Sequence, residues 1–299
     1  MIYKQSVTRK NQTFLDAIAD MSQLPKADVT TLIQIGGAYL KGKRHKQADT
    51  PLRPGVSVEV YYHAPIVKRD MVLDPKAIVH NGSGIVVVNK PSGMPTQGSR
   101  DRDDNCLYEL LKRHLGGYVG LHHRLDQDTS GLICFTTDAS LNSDVAELFS
   151  EKRVIKRYLA LVRGPWPFND HQTTVEMPIA PLREKGKPTI HVTSPQGKKA
   201  KTIITYLGEE HGLLLVEAQP VTGRTHQIRV HCQAIECPLV GDHLYGVVAA
   251  YGMKLHCGEL SWPAYGKLPE TSIRIPPPPI WQEQLPPSLA ERCLNWGST

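Results

Sequence analysis

From Lys156 to Glu217 the chain returns again and again to short extended segments. Lys156-Arg157-Tyr158-Leu159-Ala160-Leu161-Val162 alternates polar and apolar faces, and 187–194, 200–207 and 212–218 have the same β character, with Gly and Lys turns between them. Strands that follow one another this closely pair mainly antiparallel, because a parallel return needs a long crossover. The expected fold is therefore α+β: a large, mainly antiparallel sheet with a few flanking helices. The helices are visible as apolar stripes. Leu107, Leu110, Leu111 and Leu115 share one face and end at Gly116-Gly117, and Leu141, Val145, Leu148 and Phe149 share another. A short helix is expected near residues 288–294. Gly84–Gly93 and Leu132-Ile133-Cys134-Phe135 read as buried strands.

The first quarter of the chain has a different character. Thr13 stands where a helix cap belongs, before Phe14, Ile18 and Met21 at helical spacing. A second helix is expected from Lys26 through Val29, Leu32 and Ile33 to Gly36-Gly37, followed by a strand at Ala38-Tyr39-Leu40. A basic turn, Lys41 to Lys46, and an alternating strand at Val56–Tyr62 complete a small α+β module over residues 1–62. Residues 63–76 lack periodicity and are expected to be a linker, leaving 77–299 as the larger domain. Gly37, Gly42 and Lys43 have the spacing of a phosphate loop. However, Arg44 replaces the hydroxyl that would hold magnesium and a helix precedes the segment, so a nucleotide site is not expected. The stretch 97–105, dense in charge and glycine, reads as a mobile loop.

The net charge is +6, and residues 1–74 hold eleven Lys/Arg against seven Asp/Glu, so most of the excess lies in the small module. A basic module joined to a nearly neutral body fits a nucleic-acid grip attached to an enzyme, with Lys41, Lys43 and Arg44 as candidate contacts. The six cysteines form no CxxC pair and match neither a disulfide framework nor a zinc site, so reduced thiols and no metal are expected. The N-terminus is polar and every apolar run is far shorter than the roughly 18 residues of a membrane helix. The expected location is the cytoplasm, with a monomer as the default.

Three polar clusters adjoin apolar segments: Asp126 with Arg124, Tyr158 with Lys156, and Arg224 with His226 and Arg229. A carboxylate that must react at neutral pH has to stay ionised while shielded from water, and a guanidinium favours the charged form. A tyrosine adds a flat face for stacking and a phenolic oxygen. Such a set suits attack at a base's glycosidic bond. Asp126 with Asp128 could alternatively serve a glycoside or nucleoside hydrolase as a carboxylate pair.

His123-Arg124-Leu125-Asp126-x-x-Thr129-Ser130-Gly131-Leu132 resembles the signature of the RluA family of pseudouridine synthases. Lys156-x-Tyr158-x-Ala160 and Gly223-Arg224-Thr225-His226-Gln227-Ile228-Arg229-Val230-His231 resemble its second and third motifs. Asn89-Lys90-Pro91-x-Gly93, Gly241-Asp242-x-x-Tyr245-Gly246 and Leu255-His256 follow in the family's order, so the resemblance spans about residues 77–260. The sequence departs from the pattern at Ser261-Trp262-Pro263, where an aromatic and a His-Pro pair are expected. The small module resembles the αL RNA-binding domain of a ribosomal protein.

The resemblance implies an isomerase that converts uridine in RNA to pseudouridine without metal or organic cofactor, acting on a structured RNA with a flippable uridine, ribosomal RNA first. It implies Asp126 as the essential carboxylate, Tyr158 stacking on the base and accepting the final proton, and Arg224 pairing with Asp126. Arg124 would enter the space the flipped base vacates, and Lys156, His226 and Arg229 would line the substrate site. The alternatives are a transfer-RNA synthase, or a non-catalytic RNA-binding or assembly factor on the same fold.

Overall fold

The computed structural model describes residues 2–7, 12–22, 24, 26–34, 36–61, 71–98, 105–184, 189–247, 249 and 252–296. Contacts divide the chain into two units, Met1–Met71 with Glu184–Pro188, and Val72–Arg183 with Thr189–Thr299. Of the expected linker, residues 63–70 lie outside the described residues, as do residues 99–104 of the expected mobile loop.

The first unit contains β1 (Ile2–Ser6), β2 (Gln12–Thr13), α1 (Phe14–Ser22), α2 (Lys26–Gln34), β3 (Ala38–Leu40), β4 (Lys43–Arg44), β5 (Pro51–Leu52) and β6 (Ser57–Tyr61). Thr13 caps α1 reciprocally: the Asp16 amide donates to Thr13 Oγ1 (3.1 Å) and the Thr13 amide donates to Asp16 Oδ2 (3.4 Å). Gly36, in the left-handed region at φ 78°, ends α2 and donates to the Ile33 carbonyl. The strands run β1-β6-β3-β4, and Phe14, Ile18, Leu32, Ile33 and Val60 form a fully buried core between sheet and helices. Gly42-Lys43 lies at the β3–β4 hairpin, with Lys41, Lys43 and Arg44 all exposed.

The second unit contains β7 (Ile78–Gly82), β8 (Ile85–Lys90), α3 (Leu107–Leu115), β9 (Gly120–Leu121), β10 (Ser130–Thr136), α4 (Asn142–Ser150) and β11 (Ile155–Arg163). Next come β12 (Gln172–Val175), β13 (Ile179–Leu182), β14 (Ile190–Thr193), β15 (Thr202–Glu210), β16 (Leu213–Pro220), α5 (Gln227–Ala234), β17 (Leu255–Trp262), β18 (Thr271–Arg274), α6 (Ile280–Gln284) and α7 (Pro287–Leu294). Ten of these strands form one sheet in the order β12-β15-β16-β11-β17-β10-β8-β7, with β18 beside β17 and β9 beside β10. Pairing is antiparallel except where β10 meets β17, so the fold is α+β with a mainly antiparallel sheet. β13 and β14 form a separate hairpin.

Burial in the middle of the sheet departs from the expected alternation. Tyr158 through Val162 on β11 are all buried, because α6 and α7 cover one face and bring Trp281, Leu285 and Leu289 onto Leu159 and Leu161. The stretch read from sequence only as polar contains α5, whose residues Gln227 through Cys232 are all buried. No described helix is long and apolar enough to cross a membrane. All six cysteines are buried and none is in a disulfide.

Candidate active site

Asp126 lies on the loop that enters β10, and that loop is held by its backbone. Lys90, fully buried at the end of β8, donates from Nζ to the carbonyls of Gln127 (2.9 Å), Met94 (2.8 Å) and Pro91 (3.1 Å). Three carbonyls thus take the three protons of an ammonium. Burial pulls this amine down to about 7, and the charges of Asp128 and Asp126 work against that pull. Ser92 Oγ donates to the Asp128 carbonyl, the Gly93 amide to Gln127, and Thr96 Oγ1 to Leu125. On the far side, Ser130 Oγ bonds His256 Nδ1 (2.9 Å), tying the start of β10 to β17. His123 Nε2 accepts from the Cys134 amide while its ring stacks on Phe149 at 4.8 Å, and burial drives its pKa down to about 3. It is a neutral structural group.

The carboxylate's cation is not the one expected. Arg224 sits in the exposed turn before α5, where its Nε donates to the Lys199 carbonyl and its amide donates to Gln227 Oε1. Arg229, five residues on and inside the helix, reaches Asp126 instead, with Nη1 3.2 Å from Oδ2. Its other two nitrogens hold Asp242: Nε to Oδ2 at 2.7 Å and Nη2 to Oδ1 at 2.8 Å. The reason is geometric. A buried, satisfied Gln227 amide, bonded to Thr222, Lys201 and Thr202, fixes where the helix starts and leaves the preceding turn outside.

Asp242 is fully buried. Burial alone would raise its pKa, but the bonds and charge of Arg229 and the amides of Leu244 and Tyr245 outweigh this and hold the carboxyl below its ordinary value. Burial likewise works against the Arg229 charge, and Asp242 and Asp126 together raise its pKa above the usual value. The result is a two-carboxylate, one-guanidinium chain that ends at Asp126, whose side chain is 27% exposed.

His226 precedes α5 in the left-handed region at φ 55°, a conformation costing a non-glycine residue about 1 kcal/mol or more. Its Nε2 lies 3.9 Å from Asp126 Oδ2, and burial takes its pKa down to about 4 against the opposing charge of Asp126. Tyr158 is buried on β11. Burial, the Cys257 thiol beside it and the Asp126 charge push its phenol well above the ordinary value. A neutral phenol suits stacking and donation.

Lys156 is turned into the packing, its Nζ 5.5 Å from the Phe149 ring centre and its pKa lowered by burial, and it does not join Asp126. Arg124 is exposed on the Asp126 loop. Asp128 faces His243 at 3.7 Å, and burial raises its pKa while His243 and Arg229 oppose. Lys41, Lys43 and Arg44 belong to the first unit, where Arg44 packs over Tyr39 at 5.9 Å. Among the described residues no group of three or more His, Cys, Asp or Glu side chains could hold a metal ion.

Sequence reasoning passed over Lys90, Asp242, Tyr245 and His191. The first three lay within blocks already noted, Asn89-Lys90-Pro91 and Gly241-Asp242-x-x-Tyr245, but nothing there assigns them a partner. His191 carried no local signal and comes to the site through the β13–β14 hairpin, its ring 5.4 Å from His226.

Residues 84–234, which carry β8, the Asp126 loop, β11 and α5, match the family model described as RNA pseudouridylate synthase. The chain belongs to that family. Its members are isomerases that convert uridine to pseudouridine. It is 34% identical over 238 residues to a ribosomal large subunit pseudouridine synthase C of Pasteurella multocida, covering 77% of this chain and 72% of that one. A synthase D of Borreliella burgdorferi is 33% identical over 240 residues, 76% of this chain and 72% of the relative. Two solved human structures share the fold. RNA pseudouridylate synthase domain containing 1 has a TM-score of 0.57 at 30% identity over 68% of this chain and 83% of that one. Domain containing 4 has 0.56 at 28%, over 69% and 90%.

Proposed function

We propose that this chain isomerises uridine to pseudouridine in ribosomal RNA, with Asp126 as the carboxylate on which the reaction turns. One observation carries the assignment. Arg229, already neutralised by the buried Asp242, extends a further N–H to Asp126 Oδ2. The arrangement gives Asp126 a guanidinium hydrogen bond beside a buried tyrosine without leaving an unpaired cation in the site. Ribosomal RNA is favoured because the curated relatives are named for the large ribosomal subunit.

In the reaction the uracil N-glycosidic bond breaks, the ring turns, a ring carbon bonds to the sugar and loses its proton, and the ring nitrogen freed from the sugar takes up a proton. Substrate and product are isomers, so no co-reactant is consumed. Asp126 attacks or removes a proton, Arg229 and His226 support its Oδ2, and Tyr158 packs against the freed ring as a neutral phenol. Exposed Arg124 fills the space the flipped base leaves. The first unit, with Lys41, Lys43 and Arg44 exposed on one hairpin, grips RNA phosphates. The chain acts as a monomer in the cytoplasm.

The test uses RNA tritiated at the uracil carbon that loses its proton, with release to water as the readout. Release from ribosomal RNA that Asp126→Asn abolishes is the expected result. Release surviving that substitution overturns the role of Asp126, and release from transfer RNA alone overturns the substrate.

A further inference from the structure

We infer that Tyr245 is a positioning residue for this reaction: its hydroxyl holds His226 in the tautomer that points Nε2–H at Asp126, and its ring supports the arginine bound to the same oxygen. The inference rests on the proposed role of Asp126. The His191 backbone amide donates to Tyr245 Oη at 2.8 Å. An amide can only donate, so the hydroxyl accepts there and keeps its own hydrogen for one other partner. Among the described residues the acceptor within reach of that hydrogen is His226 Nδ1, 2.7 Å away, and the inference assigns the hydrogen to it.

With that assignment Nδ1 is the acceptor nitrogen and the ring proton sits on Nε2, which faces Asp126 Oδ2 at 3.9 Å. The ring of the same tyrosine lies 5.0 Å from the Arg229 guanidinium, whose Nη1 bonds the same Oδ2. Both contacts fall on Oδ2, so Oδ1 carries neither and is the oxygen set aside for chemistry. A neutral imidazole offers the carboxyl oxygen an N–H without surrendering its proton to it, which an imidazolium would do more readily.

The charged and titratable groups facing His226 are Asp126 on its loop, Arg229 on α5, His191 on β14 and Asp242 before Tyr245. Burial holds the His226 pKa at about 4, below its ordinary 6.5. A tyrosine that merely fills the small cluster with Ile179, Ala200 and Val230 would affect stability alone when its hydroxyl is removed.

Tyr245→Phe keeps the ring and deletes the hydroxyl. The expected result is a kcat for tritium release lowered about tenfold with an unchanged KM for RNA. The acid limb of the kcat profile should also move upward, because the donor that favours the neutral ring is gone. His226→Ala should lower kcat no further in the Tyr245→Phe background than alone. Independently of activity, the nitrogen NMR shifts of His226 in the unaltered protein should report the Nε2–H tautomer. A Tyr245→Phe enzyme with the original kcat and pH profile, or an Nδ1–H tautomer in the unaltered protein, overturns the inference. If no RNA releases tritium with the unaltered protein, the Asp126 reading fails, while the tautomer is still judged by its own spectrum.

Discussion

At the scale of single residues, Arg224 and Arg229 differ in what each leaves behind when removed. Arg224 is exposed and bonds one backbone carbonyl, so Arg224→Ala should change thermal stability by less than about 1 kcal/mol. It should also leave release within a few fold of the original. Arg229→Ala strands Asp242 as a fully buried carboxylate with its cation gone, which costs about 3–5 kcal/mol, and it strips Asp126 of its guanidinium. Denaturant midpoints and tritium release on the two variants check both statements, and equal loss in both variants would contradict the pairing described. The motif shows two arginines five residues apart. Which one faces inward depends on where the helix begins, and that is set by the Gln227 amide bonding across to Lys201 and Thr202. Those partners are 25 and 26 residues away, so the local pattern could not indicate the start.

At the scale of elements, the Asp126 loop depends on the junction of β10 with β17, the place where the sheet turns parallel. Gly131 is in the left-handed half of backbone space at φ 109°, and a Cβ there would run into the backbone of Cys257. Gly131→Ala should therefore cost about 3 kcal/mol through crowding. It should also lower activity by displacing Asp126 relative to Tyr158, whose strand neighbour is the same Cys257. A urea midpoint equal to that of the original protein would argue against so close an approach.

Strands were legible where they ran as apolar or alternating segments bounded by turns, as in β8, β10, β15 and β16. Helix α5 was not, because it is buried continuously from Gln227 to Cys232, with Gln227, Arg229 and His231 interleaved among Ile228, Val230 and Cys232 rather than set apart from an apolar stripe. Polar side chains can occupy such a face only when tertiary partners satisfy them, and periodicity of hydrophobic residues does not register that.

At the scale of the molecule, buried histidines make the second unit sensitive to acid. Half-buried His123 and fully buried His256 are neutral, with pKa values near 3 and 4, whereas in the unfolded chain each titrates near 6.5. Burial is the leading cause in both. Between about pH 6.5 and 4 the unfolded state binds the protons that the folded state refuses, so stability falls as pH falls through that window. The slope for two such groups approaches about 2.7 kcal/mol per pH unit. Urea midpoints measured from about pH 6.5 to 5 should decline as the pH falls.

The first unit calls for a different measurement. If the hairpin cations bind phosphates, replacing Lys41, Lys43 and Arg44 by Ala should reduce the slope of log affinity against log salt by about three. An unchanged slope would remove the case for a grip there.

The residue order alone determined the α+β class, the helix ends at Thr13, Gly36 and Gly116, and the loop that carries Asp126. These follow from local causes: a hydroxyl that caps, a glycine that turns left-handed, apolar segments that must be buried. Only the tertiary structure decided that Arg229 rather than Arg224 meets Asp126, that Asp242 neutralises Arg229 first, and that Lys90 holds the loop from beneath. Those contacts join residues 13 to 103 positions apart. Their stability comes from burying charge only where it is matched, a condition set by three-dimensional neighbours.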